Sequence, residues 1–229
     1  MALTKHSSPL GIFSAPCRVC VVGMGYIGLP TSAVLASRGH QLHGVEIDPE
    51  AREIINSGRA HIVEPDLDML VKAGIESGRM SANATPAPSD VFILCVPTPV
   101  SESKEADLSY IQSAAASICP HLKEGNLIIL ESTSPPGTTE MVAEIVAKKT
   151  GVGIDGFFFA HAPERVLPGK IIQEVVQNDR IIGGINDLST EAAKRFFGTF
   201  VKGDLITCDS RTAEMAKLVE NASRDSQIA

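Results

Sequence analysis

Short apolar runs alternate along the chain with stretches of helical period, the pattern of βαβ units feeding a mostly parallel sheet. Arg18 to Val22 (RVCVV) reads as the first strand, followed by a helix over Tyr26 to Arg38 that Gly39 ends. Gln41 to Ile47 is a second strand. Asp48-Pro49-Glu50 then supplies an N-cap, a proline at the first helical position and an early acidic residue, opening a helix that runs to about Gly58. Another helix is predicted from Asp66 to Ser77. Asp90 to Val96 (DVFILCV) and Asn126 to Glu131 (NLIILE) are unbroken apolar runs, as expected of strands covered on both faces. Helices are predicted at Ser109 to Cys119, from Thr138 onward, and at Ser189 to Phe200. Gly156 to His161, Arg180 to Gly184 and Leu205 to Cys208 read as further strands. The chain closes on a helix from Thr212. The predicted fold is α/β: a doubly wound, mostly parallel sheet over residues 16–210, with a helix over 211–229 leaving the domain. Residues 1–15 read as a disordered leader.

The turn between the first strand and first helix is Gly23-Met24-Gly25-Tyr26-Ile27-Gly28, a G-x-G-x-x-G spacing. Three such glycines alone are a weak signal. Here they follow a strand, open a helix, and precede a second strand that ends in Glu46, eighteen residues past Gly28. Gly23 permits the tight turn, Gly25 lets backbone approach a pyrophosphate, and Gly28 allows close packing of the helix. The helix N-terminus offers unpaired N–H groups and partial positive charge to phosphates. Glu46 is suited to accept hydrogen bonds from the adenosine ribose, and its carboxylate repels a 2′-phosphate. That favours NAD over NADP. Asp48, the other acidic residue nearby, is better explained as the helix cap.

Composition narrows the function classes. An apolar fraction of 44% and a charged fraction of 21% are ordinary for a globular protein. The formal charge of −7, the absence of Trp and a total of two Tyr argue against a nucleic-acid partner. No apolar run approaches the roughly 20 residues needed to span a bilayer, and no secretory signal is evident. The five cysteines are scattered. Cys17 and Cys20 match C-x-x-C, but residues three apart on a strand point to opposite faces, so both read as buried thiols of a cytoplasmic protein. His61 and His161 each stand alone, and no metal site is expected.

Seven motifs occur in order: VVGMGYIGLPTSAVLASRGH, HIVEPDLDML, VPTP, IILESTSPPGTTE, APERVLPGK, NDRIIGG and SRTAEMAKLVENASRD. Through them the chain resembles the UDP-glucose/GDP-mannose dehydrogenase family, over nearly all of its own length and about the first half of such an enzyme. The APERVLPGK stretch is similar to the branch acting on UDP-N-acetyl-D-mannosamine. The resemblance implies NAD-dependent oxidation of a sugar 6-hydroxyl to a carboxylate by two hydride transfers, through a cysteine-bound intermediate, in a homodimer. It implies NAD contacts at Tyr26, Ile27, Glu46, Thr98 and Thr133, and nucleotide-sugar contacts at Arg165, Val166, Lys217, Asn221 and Arg224. Glu164 and Thr133 would position the proton acceptor or the hydrolytic water. Lys217 and Asn221, four apart on a helix, share a face and form a donor pair suited to an oxyanion at C6.

The family's nucleophilic cysteine lies in a Gly-Gly-His-Cys segment that this sequence does not contain. None of Cys17, Cys20, Cys95, Cys119 and Cys208 has that context. The chain is therefore expected to supply the NAD-binding half, to bind NAD, and not to complete the four-electron oxidation alone. The last helix is expected to lose packing partners and to hold Lys217 and Asn221 poorly. UDP-N-acetylglucosamine and UDP-glucose remain alternative substrates, and a non-catalytic dinucleotide-binding module is the alternative of another class.

Overall fold

The computed structural model describes residues 9–101 and 104–228. Eight strands form one sheet: β1 (Arg18–Val22), β2 (Gln41–Val45), β3 (Met80–Asn83), β4 (Val91–Leu94), β5 (Leu127–Leu130), β6 (Phe158–His161), β7 (Arg180–Gly184) and β8 (Leu205–Asp209). Their spatial order is β3-β2-β1-β4-β5-β6-β7-β8. The first six run parallel, β7 pairs antiparallel to β6, and β8 runs parallel to β7. The strand order reverses between β1 and β4, and their C-terminal ends open the crevice in which doubly wound sheets bind ligands.

Helices cover both faces, and the strands alternate between them as period 2 requires. Val19, Val21, Val91, Ile93, Leu127 and Ile129 pack with α1 (Gly28–Ser37), α3 (Leu67–Glu76), α6 (Ile171–Gln177) and α7 (Asp187–Phe197). Cys20, Val22, Phe92, Leu94, Ile128 and Leu130 pack with α4 (Ser109–Ile118) and α5 (Thr138–Thr150). Cys17 and Cys20 accordingly lie in opposite layers, and all five cysteines are free thiols. Asp48 caps α2 (Pro49–Asn56) by accepting from the Glu50 N–H at 3.0 Å.

Two elements escaped the sequence pattern. β3 is the short quartet MSAN, in which only Met80 and Ala82 are apolar and buried, and α6 has seven residues, too few to display a helical period. One expectation is corrected. Residues 1–15 are not a disordered leader throughout, because Pro9–Ser14 forms a 3-10 turn. It is held by Phe13, fully buried, with its ring edge-on to Phe158 at 5.8 Å. Removing that much apolar surface from water is worth about 2 kcal/mol and fixes the turn. Residues 1–8 lie outside the described residues.

The closing helix, α8 (Ser210–Ile228), also departs from expectation. Its first turns are anchored to the domain. Asp209 accepts from Thr212 N and Oγ1 at 2.9 and 2.6 Å, capping the helix. Glu214 is fully buried and reaches the start of α5, accepting from Gly137 N (2.6 Å), Thr139 N (2.7 Å) and Thr139 Oγ1 (2.6 Å). One side chain thus supplies the cap that α5 lacks locally. Beyond Asn221 the helix is exposed.

Candidate active site

The glycine turn has the geometry its spacing predicts. Gly23 sits at φ 94°, and a Cβ there would lie 2.4 Å from the Cys95 carbonyl oxygen. A Cβ on Gly28 would fall 1.8 Å from the Gly23 carbonyl oxygen, so the start of α1 packs directly on the turn. A Cβ on Gly25 would meet nothing within 4 Å. Gly25 therefore presents bare backbone to open space at a helix N-terminus, the arrangement a pyrophosphate requires. Tyr26 is 42% exposed beside it. Glu46 follows β2 directly, where its carboxylate accepts from Met24 N at 3.2 Å and Asp48 N at 3.0 Å. It braces the turn and keeps further lone pairs for a ribose.

On the other side of the turn lies a cleft of about 340 Å³. Its walls come from the ends of β4, β5 and β6 and from α8. Ile27, Thr98, Thr133, Glu164, Val166, Lys217, Asn221 and Arg224 all line it. An adjoining cleft of about 210 Å³ shares Val166, Lys217 and Arg224 and adds Arg165. The expectation that Lys217 and Asn221 would be poorly held is therefore corrected, because the Glu214 anchor places α8 over the cleft. Glu46, Tyr26 and Gly25 are not among the residues that line this cleft.

Glu164 is buried against Arg180, while Arg165 pairs with Glu220 at 2.6 Å. Glu214 is committed to the start of α5. Burial pulls the Lys217 ammonium below the ordinary lysine range; Glu220 opposes that pull and Arg224 adds to it. The Thr98 hydroxyl donates to the Thr133 carbonyl at 2.6 Å, clamping the β4 end to the β5 end. Glu64, in the HIVEPDLDML segment, is buried and accepts from Gly169 N (2.8 Å) and Ile171 N (2.7 Å). It thereby holds the loop that carries Glu164 to Gly169.

The sequence reading missed the cleft floor. Glu131, at the end of β5, and Cys95, just past β4, both line the cleft. The Cys95 thiol donates to Glu131 Oε2 at 3.1 Å. Arg180 Nη1 lies 3.4 Å from Glu131 Oε1, and Nη2 contacts Glu164. Because β7 runs antiparallel, its first residue, Arg180, arrives at the same sheet edge as the last residues of β5 and β6. The charged residues that bound these apolar runs, Glu131 at the end of NLIILE and Arg180 at the start of RIIGG, were the available signal. Burial raises the Glu131 carboxyl to about 7, against the opposing pull of Arg180. Burial and Glu131 push the Cys95 thiol well above its ordinary range, which keeps it from acting as a nucleophilic thiolate. His161 is buried beneath, and burial brings its imidazole down to about 3. Among the described residues no three His, Cys, Asp or Glu side chains group as a metal centre would require.

A parallel sheet with a glycine turn at its switch point, an acidic residue ending β2 and a cleft at the strand ends defines an open α/β dinucleotide-binding domain. Residues 17–201 match the NAD binding domain of the UDP-glucose/GDP-mannose dehydrogenase family, and the chain belongs to that family. An NDP-N-acetyl-D-galactosaminuronic acid dehydrogenase of Ralstonia nicotianae is 50% identical over 219 residues, 92% of this chain and 52% of that protein. A UDP-N-acetyl-D-mannosamine dehydrogenase of Methanococcus maripaludis is 48% identical over 216 residues, 93% of this chain and 49% of that protein. The solved UDP-N-acetyl-mannosamine dehydrogenase of Staphylococcus aureus superposes with a TM-score of 0.87 at 44% identity, over 91% of this chain and 51% of that one. The chain spans about half the length of these relatives. NAD is the cofactor of the domain. No described helix is long and apolar enough to cross a membrane.

Proposed function

We propose that this chain is the NAD-binding half of a nucleotide-sugar 6-dehydrogenase whose substrate is UDP-N-acetyl-D-mannosamine. The observation that carries the reading is the convergence of Thr98, Thr133, Glu164, Lys217 and Asn221, from three strand ends and one helix, on a single cleft beside the glycine turn. NAD supplies the hydride acceptor. Gly23, Gly25, Tyr26, Ile27 and Gly28 would hold its pyrophosphate segment, Glu46 its adenosine ribose, and Thr98 and Thr133 the opposite half. Lys217 and Asn221 would donate to the oxygen on the reacting sugar carbon, where negative charge builds as hydride leaves. Glu164, fixed by Arg180, would orient the proton acceptor or water. Arg165, Val166 and Arg224 would contact the nucleotide sugar from the adjoining cleft. None of the five thiols fits the nucleophile. We place that group outside this chain and expect NAD binding without completed oxidation. Exposed Met215 and Val219 on the outer face of α8 support assembly as a homodimer.

A second reading differs in the sugar. The 50% identity to a protein named for N-acetyl-D-galactosaminuronic acid favours a substrate with that configuration as strongly as the 48% identity to a UDP-N-acetyl-D-mannosamine dehydrogenase favours the mannosamine.

The first test is calorimetric titration of the chain with NAD and NADP, then with UDP-N-acetylmannosamine and UDP-N-acetylgalactosamine at saturating NAD. NAD should bind saturably and NADP much more weakly. Glu46→Ala should weaken NAD by at least about tenfold, since it removes hydrogen bonds to a charged group. Failure of a folded chain to bind NAD would sink the reading, and preference for the galactosamine sugar would move it to the second substrate.

A further inference from the structure

Under the cleft floor the charges do not balance. Arg180 is the one guanidinium between two carboxylates, Glu131 and Glu164, and the side chains of all three are at most 4% exposed. The Arg180 guanidinium carbon lies 4.9 Å from the centroid of the Phe197 ring, which closes that side without adding charge. The cluster carries a net negative charge whenever both carboxylates are ionised. Burying an uncompensated charge is unfavourable, so the site holds a proton, attracts a cation, or exchanges one for the other.

The cofactor can bring such a cation. With Glu46 beside β2 and the pyrophosphate at the turn after β1, the second nucleotide half of a bound dinucleotide falls over the ends of β4 and β5. Those ends are Cys95 to Thr98 and Glu131 to Thr133, which line the cleft. The nicotinamide is a cationic pyridinium in NAD⁺ and a neutral ring in NADH.

We propose that Glu131 makes cofactor affinity depend jointly on pH and on the cofactor's oxidation state, its ionised carboxylate favouring the cationic ring of NAD⁺ over the neutral ring of NADH. The inference rests on the NAD-binding reading of the cleft. NAD⁺ binding drives Glu131 to its ionised form and releases a proton; NADH binding does not.

Among the groups facing Glu131, the Glu164 carboxylate, held on the other nitrogen of Arg180, raises it further. Cys95, after β4, holds its proton well above this range, and His161, on β6, is already neutral. Arg180, from β7, favours the ionised form of Glu131. Lys217, across the cleft on α8, is lowered from the ordinary lysine value; its cationic form disfavours a nearby pyridinium, so it opposes the preference assigned to Glu131 and does not supply it. Burial places the Glu131 transition at about 7. NAD⁺ affinity should therefore rise as pH increases through that value. If the pyridinium lowers the Glu131 pKa by about one unit, the rise is about tenfold.

The experiment is calorimetric titration of the chain with NAD⁺ and with NADH across this pH range, in two buffers of different ionisation enthalpy. Proton release on NAD⁺ binding, absent with NADH and lost in Glu131→Gln while binding persists, would support the proposal. Equal pH slopes for the two cofactor forms would overturn it, as would proton release that persists in Glu131→Gln. If that variant does not fold, the contrast between the two cofactor forms in the unaltered chain decides. Failure to bind either form at any pH would overturn the cofactor reading and this proposal with it. Binding without the contrast would remove this proposal alone.

Discussion

His161 shows how strongly one position can depend on pH. It is fully buried. Its folded pKa, about 3, lies below the ordinary 6.5 because burial penalises the imidazolium. A group depressed in this way contributes stability above its unfolded pKa, and the contribution is lost as pH falls from 6.5 towards 3. Between pH 6.5 and about pH 5 the loss is about 2 kcal/mol. His161→Leu should abolish that component: its urea-unfolding free energy should fall less over the interval than that of the unaltered chain. Equal losses in the two proteins would show that His161 is not the acid-sensitive group.

At the scale of the element, α8 depends on contacts made far from its own sequence. Most helical stability in a protein comes from tertiary packing, and only Ser210, Ala213 and Glu214 are buried on it. Glu214 joins α8 to α5 through three hydrogen bonds, from inside the protein, where unmade bonds are costly. Glu214→Ala should cost about 2 kcal/mol by chemical denaturation and raise amide exchange in the first turns of both helices. The Arg211–Glu140 pair joins the same two helices on the surface. Exposed pairs contribute little, so Glu140→Ala should leave the stability nearly unchanged. Similar effects from the two substitutions would argue that α8 is held by its apolar contacts instead.

Across the whole molecule, Arg180 connects the parallel half of the sheet to its antiparallel end. Its guanidinium meets Glu131 after β5 and Glu164 after β6, residues 49 and 16 positions away in the chain. Arg180→Met would leave two buried carboxylates facing each other without a cation. Removing one partner from such a cluster costs about 3–5 kcal/mol. The loss should be greatest at high pH and partly recovered on acidification, because protonating Glu131 relieves the repulsion. A pH-independent loss would point to packing against Phe197 as the main role of Arg180.

Much of this was legible in the sequence because it is local. The apolar runs placed β1, β4 and β5. Asp48 declared the start of α2 by its side chain and the proline after it. The glycines gave the tight strand-to-helix turn, since the conformational demand at Gly23 and the close packing at Gly28 act within a few residues of each other. The seven ordered motifs gave the family and pointed to Thr98, Thr133, Glu164, Lys217 and Asn221 before their convergence was visible. What only the tertiary structure decided is which charges meet. Folding gave Glu164 to Arg180, Arg165 to Glu220, and Glu214 to a helix 75 residues away. It also buried Phe13 from a segment read as disordered. Periodicity and turn chemistry are properties of neighbouring residues. The partner of a buried charge is set by strand order and direction, and here the reversal at β7 brings Arg180 to the cleft floor.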